Sequence, residues 1–144
     1  MKVGMTGTRY GMTKEQTKAF VSLIKELKPT EFHHGSCKGA DVEGHSIVQQ
    51  LLHAGQCKII VHPGPESDPW QGIAMSPSDI RESKNHFARN RDIVNETECL
   101  IVCPLDTEHR NRGGTWYTHD YAEEKGKLIY IVWPDGNVER LENS

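Results

Sequence analysis

Strand-like and helix-like segments alternate along the whole of this 144-residue chain. Short apolar runs at residues 2–6, 31–34, 57–62, 99–103 and 128–133 predict five strands, and segments with apolar residues at helical spacing lie between them. Because a helix that links two strands of one sheet makes a right-handed crossover, this order predicts parallel strands with helices on both faces. We therefore predict an α/β fold, a Rossmann-like three-layer sandwich with a mostly parallel sheet of five strands or slightly more.

Turn and capping residues mark where these elements begin and end. Thr13 and Gln16 form a capping-box pattern at the start of the first helix, and Pro29 stops that helix. The long connection at residues 64–85 has little periodicity and carries Trp70, which we expect either in a lid over a site or in a subunit contact.

Length and charge exclude several classes of protein. One domain is expected at residues 1–138, followed by a short polar tail at 139–144. The 17 basic and 20 acidic residues give a net charge of -3, which argues against binding to a nucleic-acid polymer. No apolar run has the roughly 18 residues of a membrane span, and residues 1–5 show no leader pattern. We therefore expect a cytoplasmic protein without a membrane partner.

Cysteine and histidine spacing gives no sign of a metal site. The four cysteines form no CxxC pair, and two of them lie in apolar strand-like runs, as reduced and buried thiols do. The eight histidines form no HExxH pattern. We expect neither a metal ion nor any other cofactor.

Glycine-containing turns follow three of the predicted strands. The carboxyl ends of parallel strands meet at one edge of the sheet, where ligands bind in folds of this class. Glycines let the backbone approach a ligand closely, the free N–H groups at the start of a following helix attract an anion, and an arginine adds bidentate contact with phosphate. These turns predict an anion-binding site made of Gly7, Thr8, Arg9, Gly35, Ser36, Lys38, Arg112, Gly113, Gly114 and Thr115.

Other residues near these turns have two alternative roles each. Asp41 begins a helix, where it either caps that helix or contacts ribose hydroxyls or another member of the site, and His45 on the same face either packs or joins the site. Trp116 and Tyr117 follow the last turn, where they either stack on a base or pack against the core and the sheet edge. His62 ends a strand, where it either faces the ligand or packs.

Four motifs of this chain resemble the SLOG superfamily, whose members include the Lonely-Guy phosphoribohydrolases, nucleotide sensors of antiviral defence systems and small phage-encoded proteins. They are GMTGTR at residues 4–9, HGSCKGADVEGH at 34–45, RNRDIV at 89–94 and RGGTWYTHDYAEEKGKLIYIV at 112–132. Together they span almost the whole chain and are most similar to the small phage-like branch. The resemblance implies a Rossmann-like nucleotide-binding domain that forms a homo-oligomer, a dimer or larger.

The resemblance also implies roles for individual residues. Arg89 takes the place of the arginine that, in the Lonely-Guy enzymes, forms a catalytic pair with a glutamate. The turn at residues 113–115 matches the phosphate-binding turn of the family, with one residue missing before the threonine. The glutamate has no counterpart, because its place falls on Tyr117 or Thr118.

The missing glutamate bears directly on catalysis. Cleavage of a glycosidic bond passes through an oxocarbenium-like state that a carboxylate stabilises, and a threonine hydroxyl does not carry that charge. Asp41, Asp120 and Glu108 are the candidates for a replacement carboxylate.

We therefore expect a protein that binds a phosphate-bearing nucleotide or a nucleotide-derived molecule, a class that includes signalling nucleotides. One alternative is a nucleoside-monophosphate N-glycosidase that hydrolyses the base–ribose bond, with Asp41 or Asp120 as the catalytic carboxylate. The other is a scaffold protein that has lost its ligand, which the clustering of polar groups at the strand ends disfavours. The expected ligand contacts include, besides the glycine turns, Asp41, Arg89 and Trp116.

Overall fold

The computed structural model of the chain describes residues 1–72, 75–107 and 113–142. Its elements are, in order, β1 (Lys2–Gly7), α1 (Lys14–Leu27), β2 (Glu31–His34), α2 (Ala40–Leu51), β3 (Lys58–Val61), β4 (Asp79–Ile80), α3 (His86–Asn95), β5 (Cys99–Cys103), α4 (Gly114–Glu124), β6 (Leu128–Val132) and β7 (Val138–Leu141).

The described strands form one seven-stranded sheet in the order β4-β3-β2-β1-β5-β6-β7. The six strands from β4 to β6 pair in parallel, and only β7 pairs antiparallel, with β6. The predicted α/β fold with a mostly parallel sheet is confirmed. Strand β1 lies between β2 and β5, so the strand order reverses at β1, and ligands bind at such a reversal in open α/β sheets.

Two edge strands were not among the five that the apolar runs predict. Strand β4 has two exposed residues, and its polar sequence carries no strand pattern. Strand β7 occupies residues 138–141, where the sequence predicts the start of a polar tail. The turn before it is closed by Gly136, which has a φ of 91° and donates its N–H to the Trp133 carbonyl. Edge strands expose much of their surface to water, so these two contain polar residues and lack the apolar runs that mark buried strands.

The core lies on both faces of the sheet, as helices on both sides require. Along β5, alternate side chains enter different clusters: Ile101 packs with α1 and α2, whereas Leu100 and Val102 pack with α3 and α4. All four cysteines are free thiols, and three of them are buried. The capping box predicted at Thr13 and Gln16 is formed at the start of α1.

Within the three described segments, every helix is too short or too polar to cross a membrane.

Candidate functional site

A cavity of about 740 Å³ opens at the carboxyl ends of β1 and β5, where the strand order reverses. Its volume lies within the roughly 300–1,000 Å³ typical of small-molecule sites. The structure brings most of the sequence-predicted site residues into its wall. Those that line it are Gly7, Thr8, Arg9, Asp41, Arg89, Gly113, Gly114, Thr115 and Trp116.

Several predicted residues lie elsewhere. Gly35 and Ser36 lie behind the wall, where Ser36 is buried and the Gly35 carbonyl accepts a hydrogen bond from Arg89. Lys38 lines an adjoining cavity of about 650 Å³. Arg112, and also Glu108, lie outside the described residues.

The start of α4 faces open space in the cavity. Gly113 has a φ of 102°, a conformation that favours glycine, and no side chain of the described residues caps the helix. The first bond within the helix runs from the Tyr117 N–H to the Gly113 carbonyl, at 3.1 Å. Among the residues that the structure describes, a Cβ on Gly113 would meet nothing within 4 Å, and one on Gly114 would approach only the Asn90 amide nitrogen at 3.6 Å. Free N–H groups and the helix dipole therefore attract an anion at this point.

Arg89 is the principal cation in the cavity wall, and it is only 4% exposed. Its Nε donates to Asn90 Oδ1 at 2.7 Å, and its Nη1 donates to the carbonyl oxygens of Gly35 at 3.0 Å and His62 at 3.3 Å. The Nη2 has weaker partners, the Cys37 thiol at 3.7 Å and His86 Nδ1 at 3.3 Å. The guanidinium is thus held firmly on one side, and its more loosely bonded Nη2 is shared with two cavity-lining side chains.

The charge of Arg89 is not neutralised by an ion pair with any residue in the described segments. The Arg89 charge also interacts with the Asp41 carboxylate, where it opposes the rise in pKa that burial causes. A buried charge without an ionic partner is costly, and a bound anion would supply the missing counter-charge.

Asp41 combines a structural role with an unusual titration. Its Oδ2 accepts the backbone N–H groups of Gly35 at 3.1 Å and Cys37 at 3.4 Å, which fixes the turn after β2. Burial raises the pKa of this carboxyl to about 6, although Arg89 and the two backbone N–H groups oppose the shift. Burial also raises the pKa of the neighbouring Cys37 thiol to about 12, so this thiol stays protonated at neutral pH.

The turn after β1 is determined mainly by packing within the fold. A Cβ on Gly7 would lie 2.7 Å from the Ala40 Cβ and 3.0 Å from the Cys103 carbonyl oxygen, so only glycine lets α2 approach β1 here. The Thr8 N–H donates to that same carbonyl, and the Thr8 Oγ1 accepts the N–H of Tyr10. Gly7 and Thr8 thus shape the cavity floor, and the Thr8 N–H is already bonded within the fold.

Two solved structures share this architecture. One is DNA processing protein A (DprA) from Streptococcus pneumoniae, with a TM-score of 0.62 and 20% sequence identity over 90% of this chain. The other is the structural-genomics target TM1055, with a TM-score of 0.57 and 14% identity over 90% of this chain and 72% of its own length. This likeness shows the fold, a Rossmann-like α/β architecture. It spans about half of the DprA chain, 49%. Neither a protein-family model nor a curated protein sequence matches it.

The position that the SLOG resemblance assigns to a catalytic glutamate holds no carboxylate in this fold. Thr118 is fully buried, and its hydroxyl donates to the Gly114 carbonyl at 2.7 Å. Tyr117 lines the cavity, with its ring 4.6 Å from that of Phe87 and its hydroxyl accepting a hydrogen bond from Arg91. Asp120, a candidate replacement, is exposed on α4 outside the cavity wall, beside the His119 ring.

Trp116 touches the cavity but is mainly a core residue. It is 5% exposed, and its ring lies 5.1 Å from that of His119 and 5.9 Å from that of Trp133. Of its two alternative roles, packing is therefore the one that its surroundings support.

The cavity wall contains residues that sequence reasoning missed. Asp68, His86, Phe87 and Asn90 all line it. His86 Nε2 lies 3.5 Å from Asp68 Oδ2, and Asp68 Oδ1 accepts the backbone N–H of Trp70 at 3.0 Å. For Asp68 the signal in the sequence is the unusual length of the 64–85 connection, which places residues at the site without any motif. Asn90 lies in the RNRDIV motif beside Arg89.

Four buried histidines form two pairs outside the cavity wall. The Ser36 N–H donates to His34 Nδ1, so His34 Nε2 carries the proton that bonds to His45 Nδ1 at 2.7 Å. His45 Nε2 then donates to the Met75 carbonyl, which ties the long connection to α2. The pKa of His34 is well below its ordinary value because the ring is buried, so this pair is neutral.

The second pair combines His33 and His62 with two carboxylates. His33 Nδ1 and His62 Nε2 lie 2.8 Å apart, Glu31 Oε1 lies 2.9 Å from His33 Nε2, and Glu96 Oε2 lies 3.8 Å from His62 Nδ1. The ring centroids are 5.0 Å apart, so the two nitrogens face each other almost in line. A shared proton fits this arrangement, whereas a metal ion needs nitrogens whose lone pairs converge on it. Burial lowers the pKa of His62 to about 4.

Proposed function

We propose that the cavity binds the phosphate group of a nucleotide or of a nucleotide-derived molecule. The observation that carries the proposal is the meeting of two positive features in one cavity. One is the buried guanidinium of Arg89, which has no ion pair within the described segments, and the other is the start of α4, which no described side chain caps. An anion placed between them would take hydrogen bonds from α4 backbone N–H groups and from Arg89 Nη2. The SLOG-type fold fits a nucleotide-related role, and the cavity volume accommodates more than a free phosphate ion.

Binding is tested by ligand-dependent stability. A ligand held only by the folded protein at a hundred times its Kd raises the free energy of unfolding by about 2.7 kcal/mol. We expect nucleoside monophosphates and ribose 5-phosphate to raise the melting temperature, and unphosphorylated nucleosides to raise it far less.

The matched variants are Gly114→Asp and Gly114→Ala. The aspartate and alanine side chains both enter open space, since a Cβ at position 114 meets only one atom of the described residues, Asn90 Nδ2 at 3.6 Å. The aspartate places a negative charge where the phosphate is proposed, so this variant should fold and lose the ligand response, whereas the alanine variant should keep most of it. An unchanged response in Gly114→Asp would remove the start of α4 from the phosphate site.

Hydrolysis of the base–ribose bond is the second candidate, and Asp41 is the observation that favours it. This carboxyl lines the cavity and has a pKa of about 6, so a substantial fraction is protonated at mildly acidic pH and can donate a proton to a leaving base. Asp120 lies outside the wall, which leaves Asp41 as the stronger of the two carboxylates expected from the sequence.

The two candidates differ in their product. Incubation of the protein with nucleoside monophosphates and chromatography of the mixture would show a free base only if the bond is cleaved. If it is, Asp41→Asn should abolish the release of base while the thermal response to ligand remains. Full turnover in that variant would exclude Asp41 as the acid.

A further inference from the structure

Arg9, Tyr10 and Trp70 form a cluster at the mouth of the cavity, which we call the aromatic cluster. The Arg9 guanidinium carbon lies 4.5 Å from the centre of the Trp70 ring and 5.6 Å from that of Tyr10. The two aromatic rings lie 5.4 Å apart, edge to face. Tyr10 is 63% exposed, an unusual state for a large aromatic side chain, and all three residues line the cavity.

Backbone hydrogen bonds hold Trp70 in place. The Lys38 N–H donates to the Trp70 carbonyl at 2.7 Å, and the Gly72 N–H donates to the Ser36 carbonyl at 2.6 Å. The Trp70 N–H in turn donates to the Asp68 carboxylate. The indole is therefore presented by a fixed turn, so little conformational entropy is lost when a ligand packs against it.

A chain of contacts along the cavity wall links the aromatic cluster to the phosphate site. From Trp70 the contacts run through Asp68 to His86, and from His86 to Arg89. Arg89 bonds to Asn90, whose amide lies beside Gly114 at the start of α4. A ligand with its phosphate at α4 therefore extends along this wall towards Trp70.

We propose that the aromatic cluster stacks on the nucleobase of the bound nucleotide, an inference that rests on the proposed function. Aromatic rings and an arginine guanidinium offer π-faces and a planar cation, the surfaces on which bases stack in many nucleic-acid sites. The stacking free energy depends on the area of the base rather than on its hydrogen-bonding groups. The site therefore accepts nucleotides with different bases and prefers purines, whose rings are larger, to pyrimidines.

Another aromatic pair in the cavity wall, Phe87 and Tyr117, fits this role less well. The Tyr117 N–H bonds to the Gly113 carbonyl, which puts the pair beside the phosphate end of the wall. The base of a nucleotide lies at the end remote from its phosphate. The two rings also pack edge to face on each other, 4.6 Å apart, and Arg91 donates to the Tyr117 hydroxyl.

The test compares adenosine 5′-monophosphate, cytidine 5′-monophosphate and ribose 5-phosphate by isothermal titration calorimetry. In the unaltered protein, we expect the adenine nucleotide to bind roughly 5- to 150-fold more tightly than ribose 5-phosphate, with the cytosine nucleotide between them. Trp70→Leu should bring the nucleotides close to ribose 5-phosphate and leave the affinity of ribose 5-phosphate unchanged. Trp70→Phe, which keeps a π-face, should retain most of the preference.

Tyr121→Leu is the matched control, because Tyr121 forms an aromatic–cation pair with Lys125 on α4, outside the cavity wall. It should leave all three affinities unchanged. Equal affinity for nucleotide and sugar phosphate in the unaltered protein, or a preference that survives Trp70→Leu and disappears in Phe87→Leu, would overturn the stacking proposal and leave the phosphate site standing. Binding of none of the three compounds would overturn the proposed function and the stacking proposal together.

Discussion

Replacement of Gly35 by alanine displaces Arg89 without deleting it. A Cβ at position 35 would lie 2.4 Å from Nη1 and 2.9 Å from Cζ of Arg89. Gly35 has an ordinary φ, so alanine brings no backbone strain of its own. The guanidinium is buried and cannot move away without losing its Nη1 bonds to the carbonyl oxygens of Gly35 and His62. The Gly35 carbonyl keeps a second donor, Gln71 Nε2 at 3.2 Å, but the His62 carbonyl loses its bond from Arg89. A buried acceptor left without a donor costs about 1–3 kcal/mol, and we expect the free energy of unfolding to fall by about that amount.

Urea denaturation measures this loss, and calorimetry with a nucleoside monophosphate measures the accompanying loss of affinity. Gly114→Ala is the control for stability, because its Cβ approaches nothing closer than 3.6 Å. Its free energy of unfolding should stay within about 0.5 kcal/mol of the unaltered protein. If Gly35→Ala is as stable as that control and binds the nucleotide with full affinity, the position of Arg89 does not determine either property.

Three further outcomes follow from the same contacts. Arg89→Lys keeps the charge, but a lysine cannot donate to Asn90 and to two carbonyl oxygens at once. We expect the affinity for phosphate to fall roughly 10-fold in calorimetry, and the free energy of unfolding to fall by about 1–3 kcal/mol in urea denaturation. For Asp41, the folded-state pKa of about 6 lies above the ordinary 3.8. Raising the pH from about 4 to 6 should therefore lower the stability of the unaltered protein by about 3 kcal/mol relative to Asp41→Asn. If urea denaturation shows the same difference between the two proteins at every pH, the carboxyl is not buried as described. For His62 the pKa is lowered to about 4, so its contribution has the opposite sign and is lost as the pH falls from about 6.5 towards 4. His62→Gln should therefore be less acid-sensitive than the unaltered protein, and equal acid sensitivity would show that this ring is not buried in its neutral form.

The sequence was sufficient to predict the fold class because the core strands are strongly patterned. Strand β5, for example, is buried at every residue, so its apolar run was unambiguous. The capping box at Thr13 and Pro29 marked the two ends of α1. The edge strands β4 and β7 escaped detection because a strand exposed to water and paired on one side needs no apolar alternation.

The candidate site was only partly accessible from the sequence. The glycine turns could be predicted to meet, because the carboxyl ends of parallel strands share one edge of the sheet. Arg89 was expected at the site from the resemblance alone. The roles of single side chains could not be predicted, since Trp116 and Asp120 follow the same turn yet one packs in the core and the other points to solvent. Asp68 could not be predicted either, because the irregular 64–85 connection has no periodicity that would fix the direction of its side chains. His86, the first residue of α3, meets Asp68 through that same connection.

A structure of the protein with a bound nucleoside 5′-monophosphate tests the central claim most directly. The phosphate oxygens should lie within about 3.2 Å of the Thr115 backbone nitrogen and of Arg89 Nη2. A phosphate placed against Lys38 in the adjoining cavity, or anywhere else outside the wall that joins Arg89 to α4, would contradict it.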